Sequence, residues 1–187
     1  MDSHTEHWLA DRIERIVLSE EEIQTAVASM GVEISRDYAD KQPVLVGVLN
    51  GVALLMADLL RAVTIPVAVD FMAISRYTSA DRTGSVRILK DLDESITGRH
   101  VLFVEDVIDT GLTLDYLLRT LRTRQPASLR VCVLFDRPYR RLIDIPLDYR
   151  GLELPDEFVV GYGLDMNGYY RNLSFIATLE PDGPDSV

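Results

Sequence analysis

Two acidic residues followed by a short polar turn form the stretch of this sequence best suited to chemistry. Val101 to Thr113 reads Val-Leu-Phe-Val-Glu-Asp-Val-Ile-Asp-Thr-Gly-Leu-Thr. Its first four residues are an apolar run of the kind found in strands, and Glu105 and Asp106 follow where that strand is expected to end. The turn Asp109-Thr110-Gly111 then precedes an amphipathic run from Leu112 to Leu121. The pattern predicts a strand, an acidic tip, a tight loop and a helix.

This arrangement offers three kinds of contact to a ligand. In open α/β sheets, ligands bind beyond the carboxyl ends of the strands, and a helix N-terminus there supplies N–H groups that suit a phosphate. Gly111 permits a close backbone approach, and the hydroxyls of Thr110 and Thr113 add donors. Glu105 and Asp106 can accept hydrogen bonds from sugar hydroxyls or bind Mg²⁺. The Asp-Thr-Gly turn alone would be explained by helix capping, but the whole string favours a site for a phosphate, a diol and a metal.

The elements that must position this stretch alternate between strands and helices. Ser19 and Glu22 fit a capping box that opens a helix over about 19–40. Hydrophobic patterning predicts strands at 44–49, 67–74, 86–89, 101–104, 129–135, 158–161 and 173–179, and helices at 52–61 and 112–121. Residues 136–155 contain Pro138, Pro146 and Pro155 and are expected to be irregular. The order predicts an α/β fold with a mostly parallel central sheet and helices on both faces.

The overall composition excludes several classes of function. The 187 residues suffice for one domain with a core, and the hydrophobic content of 47% argues against disorder. A net charge of −11 argues against a nonspecific binder of nucleic acid or of an anionic membrane. No apolar run approaches the roughly 20 residues needed to span a bilayer, and no signal peptide is visible. A cytoplasmic location is therefore expected. Residues 1–18 are weakly patterned, and the tail 181–187 is expected to be disordered.

The central string closely resembles the phosphoribosyl-pyrophosphate-binding motif of the type I phosphoribosyltransferase family, in the form typical of its hypoxanthine-guanine branch. A second matching piece is Phe158-Val-Val-Gly-Tyr-Gly-Leu-Asp165, followed by Tyr170-Arg-Asn-Leu173. The resemblance covers roughly residues 10–180. It implies the type I phosphoribosyltransferase fold in a single domain, 1–187, with a small hood segment built from about 1–40 and 155–180. It also implies a homodimer or homotetramer.

The resemblance further assigns roles within the central string. Asp109 would be the general base at the purine's imidazole nitrogen. The loop that holds the sugar's 5-phosphate would comprise Asp109, Thr110, Gly111, Leu112 and Thr113. Glu105 and Asp106 would hold the ribose hydroxyls, directly or through Mg²⁺. Because an acidic protein repels a polyphosphate, the metal and local arginines must reverse the field at the site.

The hood piece carries the remaining implied contacts. Phe158 would stack on the purine, since an aromatic face suits a planar heterocycle, and Val159 would offer backbone groups to the edge of the base. Asp165 would lie near the purine on the side of the metal and the pyrophosphate, as a third metal ligand. Arg171 would bind the pyrophosphate, because arginine holds phosphoryl oxygens with two parallel hydrogen bonds.

Other positions match the family with departures. Leu49-Asn50-Gly51 matches a loop that binds pyrophosphate through its backbone and often has Lys second. We predict a cis peptide bond between Leu49 and Asn50, which costs about 3–4 kcal/mol and would mark function. Arg137 stands where the family presents Lys to the purine's six-position oxygen; its planar fork can still donate there. Ser75 and Tyr77 match a lid that would keep water from the reacting sugar.

The implied reaction is Mg²⁺-dependent transfer of a ribosyl phosphate from 5-phosphoribosyl-1-pyrophosphate to hypoxanthine or guanine, giving IMP or GMP and pyrophosphate. One alternative keeps the fold but prefers xanthine or a broader range of purines. Another is a non-catalytic regulator that senses phosphoribosyl pyrophosphate and binds RNA. An RNA-binding homologue should show a basic face, so the acidic charge argues against the regulator, as do the complete hood piece and the short N-terminal extension.

Overall fold

The computed structural model describes residues 12–75 and 86–180. Within those ranges the strands are β1 Ile13–Leu18, β2 Val44–Leu49, β3 Ala68–Ile74, β4 Ile88–Lys90, β5 His100–Ile108, β6 Ser128–Asp136, β7 Tyr149–Glu153, β8 Val159–Val160 and β9 Ile176–Leu179. The helices are α1 Glu20–Asp37, α2 Ala53–Ala62 and α3 Leu112–Arg122, with a 3₁₀ turn at Pro138–Arg140. None of the helices in these ranges has the length and apolar character needed to cross a membrane.

Six strands form the central sheet in the order β4-β3-β2-β5-β6-β7. All neighbours pair in parallel except β4, which runs antiparallel to β3 at the edge. Helices α1 and α2 pack on one face of this sheet, and α3 packs on the other. The predicted α/β fold, with a mostly parallel sheet covered on both faces, is confirmed.

Alternation along the buried strands explains why both faces are covered. Leu45 and Leu102 point into the core shared with α1 and α2, whereas Val46 and Phe103 point into the core shared with α3. All four side chains are fully buried. A strand that is apolar at every position can be stable only between two layers, so the run Val44–Leu49 dictates a three-layer arrangement.

A second, three-stranded antiparallel sheet in the order β1-β9-β8 forms the hood. It joins the start of the described chain to its end, as the expected small hood segment requires. The sequence analysis predicted no strand within residues 1–18, but Ile13–Leu18 form β1. Glu14 and Arg15 are exposed and hide the strand signal, but pairing with β9 satisfies the backbone of this segment.

Two further sequence predictions need correction. The central strand β5 does not end at Val104 but continues to Ile108, because β6 pairs with it as far as Ile108, whereas β2 pairs only as far as Val104. Residues 136–155 are also not wholly irregular, since Tyr149–Glu153 form the edge strand β7 against β6. Its mixed sequence, Tyr-Arg-Gly-Leu-Glu, gives little apolar signal because an edge strand is only half buried.

The N-termini of helices α1 and α3 are capped differently. At α1, Ser19 and Glu22 form the expected capping box: each side chain bonds the backbone of the other residue. At α3, the cap is Gly111, whose φ of 82° lies in the left-handed region that favours glycine. Gly111 makes no side-chain hydrogen bond to the first turn, and among the described side chains only Thr110 lies near it, its Oγ1 accepting from the Leu112 amide at 3.4 Å.

Candidate active site

A cavity of about 650 Å³ lies between the carboxyl ends of the central strands and the hood. Most of the residues singled out from the sequence line it: Leu49, Asn50, Gly51, Ser75, Glu105, Asp106, Asp109, Thr113, Arg137, Phe158, Val159, Asp165 and Arg171. An adjoining cavity of about 190 Å³ is lined by Thr110 and Gly111, and it shares Glu105, Asp109 and Thr113 with the first. Leu112 is not among the lining residues of either cavity, and Tyr77 falls outside the described residues.

The part of β5 that extends beyond β2 carries the paired acids. Asp106 is 9% exposed and accepts a hydrogen bond from the Val107 amide at 2.9 Å. Burial raises the pKa of Asp106 to about 6. Burial, and then the neighbouring Asp106 charge, raise the pKa of Glu105 well above its ordinary value. Among the described residues, the buried Oε2 of Glu105 has no hydrogen-bond partner. A cation at this point would offset both carboxylates.

The fit of these acids to Mg²⁺ depends on how many protein ligands the ion needs. In the described part of the chain, no three His, Cys, Asp or Glu side chains converge on one point. Asp165 instead pairs with Arg171 and accepts the Gly168 amide at 2.7 Å. Mg²⁺ in phosphoryl sites is commonly held by one or two carboxylates together with substrate phosphates and water. Glu105 and Asp106 therefore suffice to fit the group, and a role for Asp165 as a third ligand stays a prediction.

The loop Leu49–Gly51 closes one wall of the cavity. The peptide bond between Leu49 and Asn50 is cis, as predicted. Gly51 lies directly against the carboxylate of Asp106, where a Cβ would overlap Oδ2. Gly163 of the hood in turn lies against the carbonyl of Gly51, so a side chain there would also collide. Gly51, Asp106 and Gly163 thus come from distant parts of the chain and lie in direct contact. This is possible because neither glycine has a side chain.

The loop that opens α3 is supported from behind by the segment after β6. The Thr110 carbonyl accepts the amides of Leu142 and Ile143 at 3.0 and 3.3 Å. Gly111 packs close to the Ile143 carbonyl and the Ile145 side chain, and a Cβ would be within 3.2 Å of each. This backing fixes the loop while its other side faces the smaller cavity, the geometry of an anion cradle.

A pair that sequence reasoning did not anticipate joins Arg137 to Asp109. The guanidinium of Arg137 is 6% exposed; its Nη1 donates to Asp109 Oδ1 at 3.3 Å, and its Nη2 donates to the Glu157 carbonyl at 3.1 Å. The two residues were assigned separate roles, toward the imidazole nitrogen and toward the six-position oxygen of a purine. Their contact places those roles side by side. A separation of 28 residues in sequence hides the pair from any local pattern.

The hood presents an aromatic ring and a cation to the same cavity. Phe158 is 58% exposed although it lines a cavity, whereas its neighbour Val159 is buried. Arg171 donates to the Gly163 carbonyl and to Asp165. An exposed aromatic face at a cavity wall suits a flat heterocycle.

Sequence reasoning missed the apolar lining of the cavity. Val48, Ala73, Ile74, Leu89, Val107 and Leu164 all contribute to it. They carry no chemical signature, since an apolar residue at a strand end looks like any other core residue. Gly163 was also missed. Two glycines separated by one residue, as in Gly161-Tyr162-Gly163, could have indicated a backbone with positive φ, which both glycines have in the structure.

Comparison with known proteins gives consistent matches. The family described as the phosphoribosyl transferase domain matches residues 16–167. The hypoxanthine-guanine phosphoribosyltransferase of Bacillus subtilis (strain 168) is 46% identical over 170 residues, which are 90% of this chain and 94% of that protein. The hypoxanthine phosphoribosyltransferase of Haemophilus influenzae is 45% identical over 165 residues, 86% and 92% of the two chains.

Solved structures match in the same way. The crystal structure of a hypoxanthine phosphoribosyltransferase from Staphylococcus aureus has a TM-score of 0.87 at 41% identity, over 92% of this chain and 95% of that one. A hypoxanthine phosphoribosyl transferase from Trypanosoma cruzi, solved to study its C-terminal region in oligomeric state and enzymatic activity, has a TM-score of 0.85 at 40% identity. It covers 91% and 93% of the two chains.

Proposed function

The chain belongs to the phosphoribosyl transferase family, and we propose that it transfers the ribosyl phosphate of Mg²⁺-bound 5-phosphoribosyl-1-pyrophosphate to hypoxanthine or guanine. It is a purine salvage transferase, and its relatives with 43–47% identity are named for this activity. The products are IMP or GMP and pyrophosphate. We place the reaction in the cytoplasm, the location expected from the sequence.

One observation carries the proposal: a single cavity, with the small cavity that adjoins it, holds an aromatic wall, a buried acid pair and a glycine-capped helix N-terminus. These features match the three parts of the proposed transition state in order. Phe158 faces the base, Glu105 and Asp106 face the sugar hydroxyls, and Thr110 to Thr113 surround the 5-phosphate.

To Asp109 we assign the removal of a proton from the attacking purine. Its carboxylate is held by Arg137, which fixes its direction. As the imidazole nitrogen of the purine bonds to the anomeric carbon, the proton on that ring passes to Asp109 Oδ. The Arg137 guanidinium, already buried against the Glu157 carbonyl, donates to the six-position oxygen of the base.

The leaving pyrophosphate needs positive charge and backbone donors as its bond to the sugar breaks. Asn50 and Gly51 of the cis loop provide the backbone contacts, and Arg171 provides a cation. Glu105 and Asp106 would hold Mg²⁺, which supplies charge neutralisation to the departing phosphoryl oxygens. The Asp165–Arg171 pair keeps the arginine directed toward this side of the cavity. Ser75, at the rim, begins the segment that we assign to the lid.

A homodimer or homotetramer is part of the proposal. It rests on the family resemblance; the solved structure of the Trypanosoma cruzi relative addresses the oligomeric state of that protein. Sedimentation of the purified protein measures the assembly directly.

The test is a turnover assay with hypoxanthine, guanine, xanthine and adenine, each with and without Mg²⁺. We expect turnover of the two 6-oxopurines that lack a 2-oxo group and loss of activity when the metal is chelated. Faster turnover of xanthine would shift the assignment to the xanthine-preferring alternative, which the fork of Arg137 makes chemically reasonable. Tight RNA binding without turnover of any base would reject the enzyme assignment.

A further inference from the structure

A hydrogen bond from Tyr162 ties the hood to the helix that follows the Leu49–Gly51 loop. The hydroxyl of Tyr162 donates to Asp58 Oδ2 at 2.7 Å, and Asp58 lies in α2. Asp58 also accepts from Gln24 of α1 at 2.9 Å and from Arg61 at 3.0 Å. The hood, α1 and α2 therefore share one carboxylate.

The backbone of Tyr162 is held in an unusual conformation. Its φ of 38° lies in the left-handed region, which bulky side chains rarely adopt. Such a conformation persists only where the surroundings enforce it, and it is concentrated at functional sites. Here the ring is 3% exposed and meets Phe135 edge-on, with centroids 6.2 Å apart. Burial raises the pKa of the Tyr162 phenol, so the hydroxyl remains a donor.

The residue after Tyr162 is the point where the hood touches the loop. Gly163 packs against the Gly51 carbonyl at a distance that excludes any side chain. The carbonyl of Gly163 accepts from Arg171, and its amide donates to the Arg171 carbonyl at 3.0 Å. Fixing Tyr162 on α2 consequently fixes both the contact with Gly51 and the position of the Arg171 guanidinium.

We propose that Tyr162 and Asp58 are positioning residues that hold the hood against the Leu49–Gly51 loop in the geometry that binds the pyrophosphate group. This proposal rests on the proposed function, because it specifies how that site is assembled. Neither side chain lines the cavity. Their effect on the substrate is transmitted through Gly163, Gly51 and Arg171.

The test removes one oxygen atom. Tyr162→Phe keeps the ring against Phe135 and deletes the hydrogen bond to Asp58. We expect KM for 5-phosphoribosyl-1-pyrophosphate, and the inhibition constant for Mg²⁺-pyrophosphate, to rise roughly tenfold, the effect typical of losing a hydrogen bond to a charged group. KM for hypoxanthine should change less than threefold, roughly, because Val159 and the adjoining Phe158 are held separately by pairing of β8 with β9.

The chain contains a matched control at the opposite end of the sheet. Tyr149 is also 3% exposed, and its hydroxyl donates to Asp37 at 3.0 Å. Tyr149→Phe deletes this bond, together with the one that the hydroxyl accepts from Arg130 at 3.1 Å, far from the cavity. It should lower the melting temperature while leaving both KM values unchanged. Equal kinetics for Tyr162→Phe and Tyr149→Phe would overturn the proposal.

A second variant covers the case in which Tyr162→Phe does not fold. Asp58→Ala removes the acceptor from the other side and should raise the same two constants. In the double variant Tyr162→Phe/Asp58→Ala, the two constants should rise no further than in the more affected single variant, because both substitutions break the same hydrogen bond. Independent, multiplying effects would contradict a shared bond. A wild-type protein without any turnover would instead reject the proposed function, and the two failures are thereby distinguished.

Discussion

Acidic residues have different surroundings at the two ends of the central strands, here called the amino edge and the carboxyl edge of the sheet. At the amino edge, Asp37 at the end of α1 accepts hydrogen bonds from Tyr149 and Arg130 at 3.0 and 3.2 Å, and from Arg36 at 3.1 Å. At the carboxyl edge, Asp106 is buried and the adjacent Glu105 is half-buried. Hydrogen bonding lowers the pKa of Asp37, with Arg36 contributing most and Tyr149 next, whereas burial raises the pKa of both acids at the other edge.

The difference shows at which edge the protein alone supplies the hydrogen-bond donors that its carboxylates need. A carboxylate with several donors is satisfied by the protein, and it stabilises the fold. A buried carboxylate without enough donors costs stability, and it is retained where a bound group will complete it. The comparison therefore separates an acid that the protein's own donors satisfy from the acids that we propose to bind the substrate.

The largest effect that would sharpen this comparison is expected at Asp109. Asp109→Asn should lower kcat by about 10²–10⁴-fold, the usual contribution of a positioned proton acceptor, with little change in melting temperature. The matched change at the amino edge, Asp37→Asn, should do the reverse, lowering the melting temperature and leaving kcat unchanged. Steady-state kinetics and thermal unfolding of both variants measure this. An unchanged kcat in Asp109→Asn would remove that residue from its role.

The second effect is on the pH dependence of stability. The pKa of Asp106 is raised from its ordinary 3.8 to about 6, so between those values the folded state binds more protons than the unfolded state. Stability therefore falls as pH rises through this window, and the penalty remains above it. Asp106→Asn should increase the free energy of unfolding at pH 8 by about 3 kcal/mol in metal-free buffer, with little effect at pH 4.

Asp37 provides the opposite sign for the same measurement. Because its pKa is lowered, its contribution is present above the ordinary carboxyl pKa and is lost as pH falls through the folded-state value. Asp37→Asn should therefore be destabilising at pH 8 and nearly neutral at low pH. Denaturant unfolding across this range measures both variants. Equal pH profiles would remove the distinction between the two edges.

The smallest of the three effects is expected at Arg137. Arg137→Lys keeps the charge but cannot bond Asp109 and the Glu157 carbonyl at once, so kcat/KM for hypoxanthine should fall roughly tenfold. The matched variant Arg130→Lys, at the amino edge, loses contacts to Asp37 and the Tyr149 hydroxyl and should leave kcat/KM unchanged. Higher activity in Arg137→Lys would show that the fork is no better than the lysine typical of the family.

Much of the fold could be predicted from local pattern. The apolar run Val44–Leu49 is correct to the residue, and the capping box at Ser19 places the start of α1. The prediction missed strands β1 and β7, because both depend on pairing partners that the local sequence does not reveal. The extension of β5 to Ile108 failed for the same reason, because β6 alone determines how far pairing continues.

The site shows a similar division. Residues within one motif, such as Glu105 and Asp109, could be found together because chemistry and spacing coincide. The Arg137–Asp109 and Tyr162–Asp58 bonds join residues 28 and 104 positions apart, and nothing local marks either. The cis bond at Leu49–Asn50 was correct only through the family resemblance, since the composition of that dipeptide does not favour it.

The glycine cap of α3 has a consequence for how the protein and its substrate divide the task of building structure. At α1 the chain terminates the helix with its own serine, whereas at α3 it supplies an open end. A phosphoryl group docked there, as we propose, would take the place of a capping side chain and neutralise the positive pole of the helix. The substrate would in that sense complete the first turn of α3, which the chain completes by itself at α1.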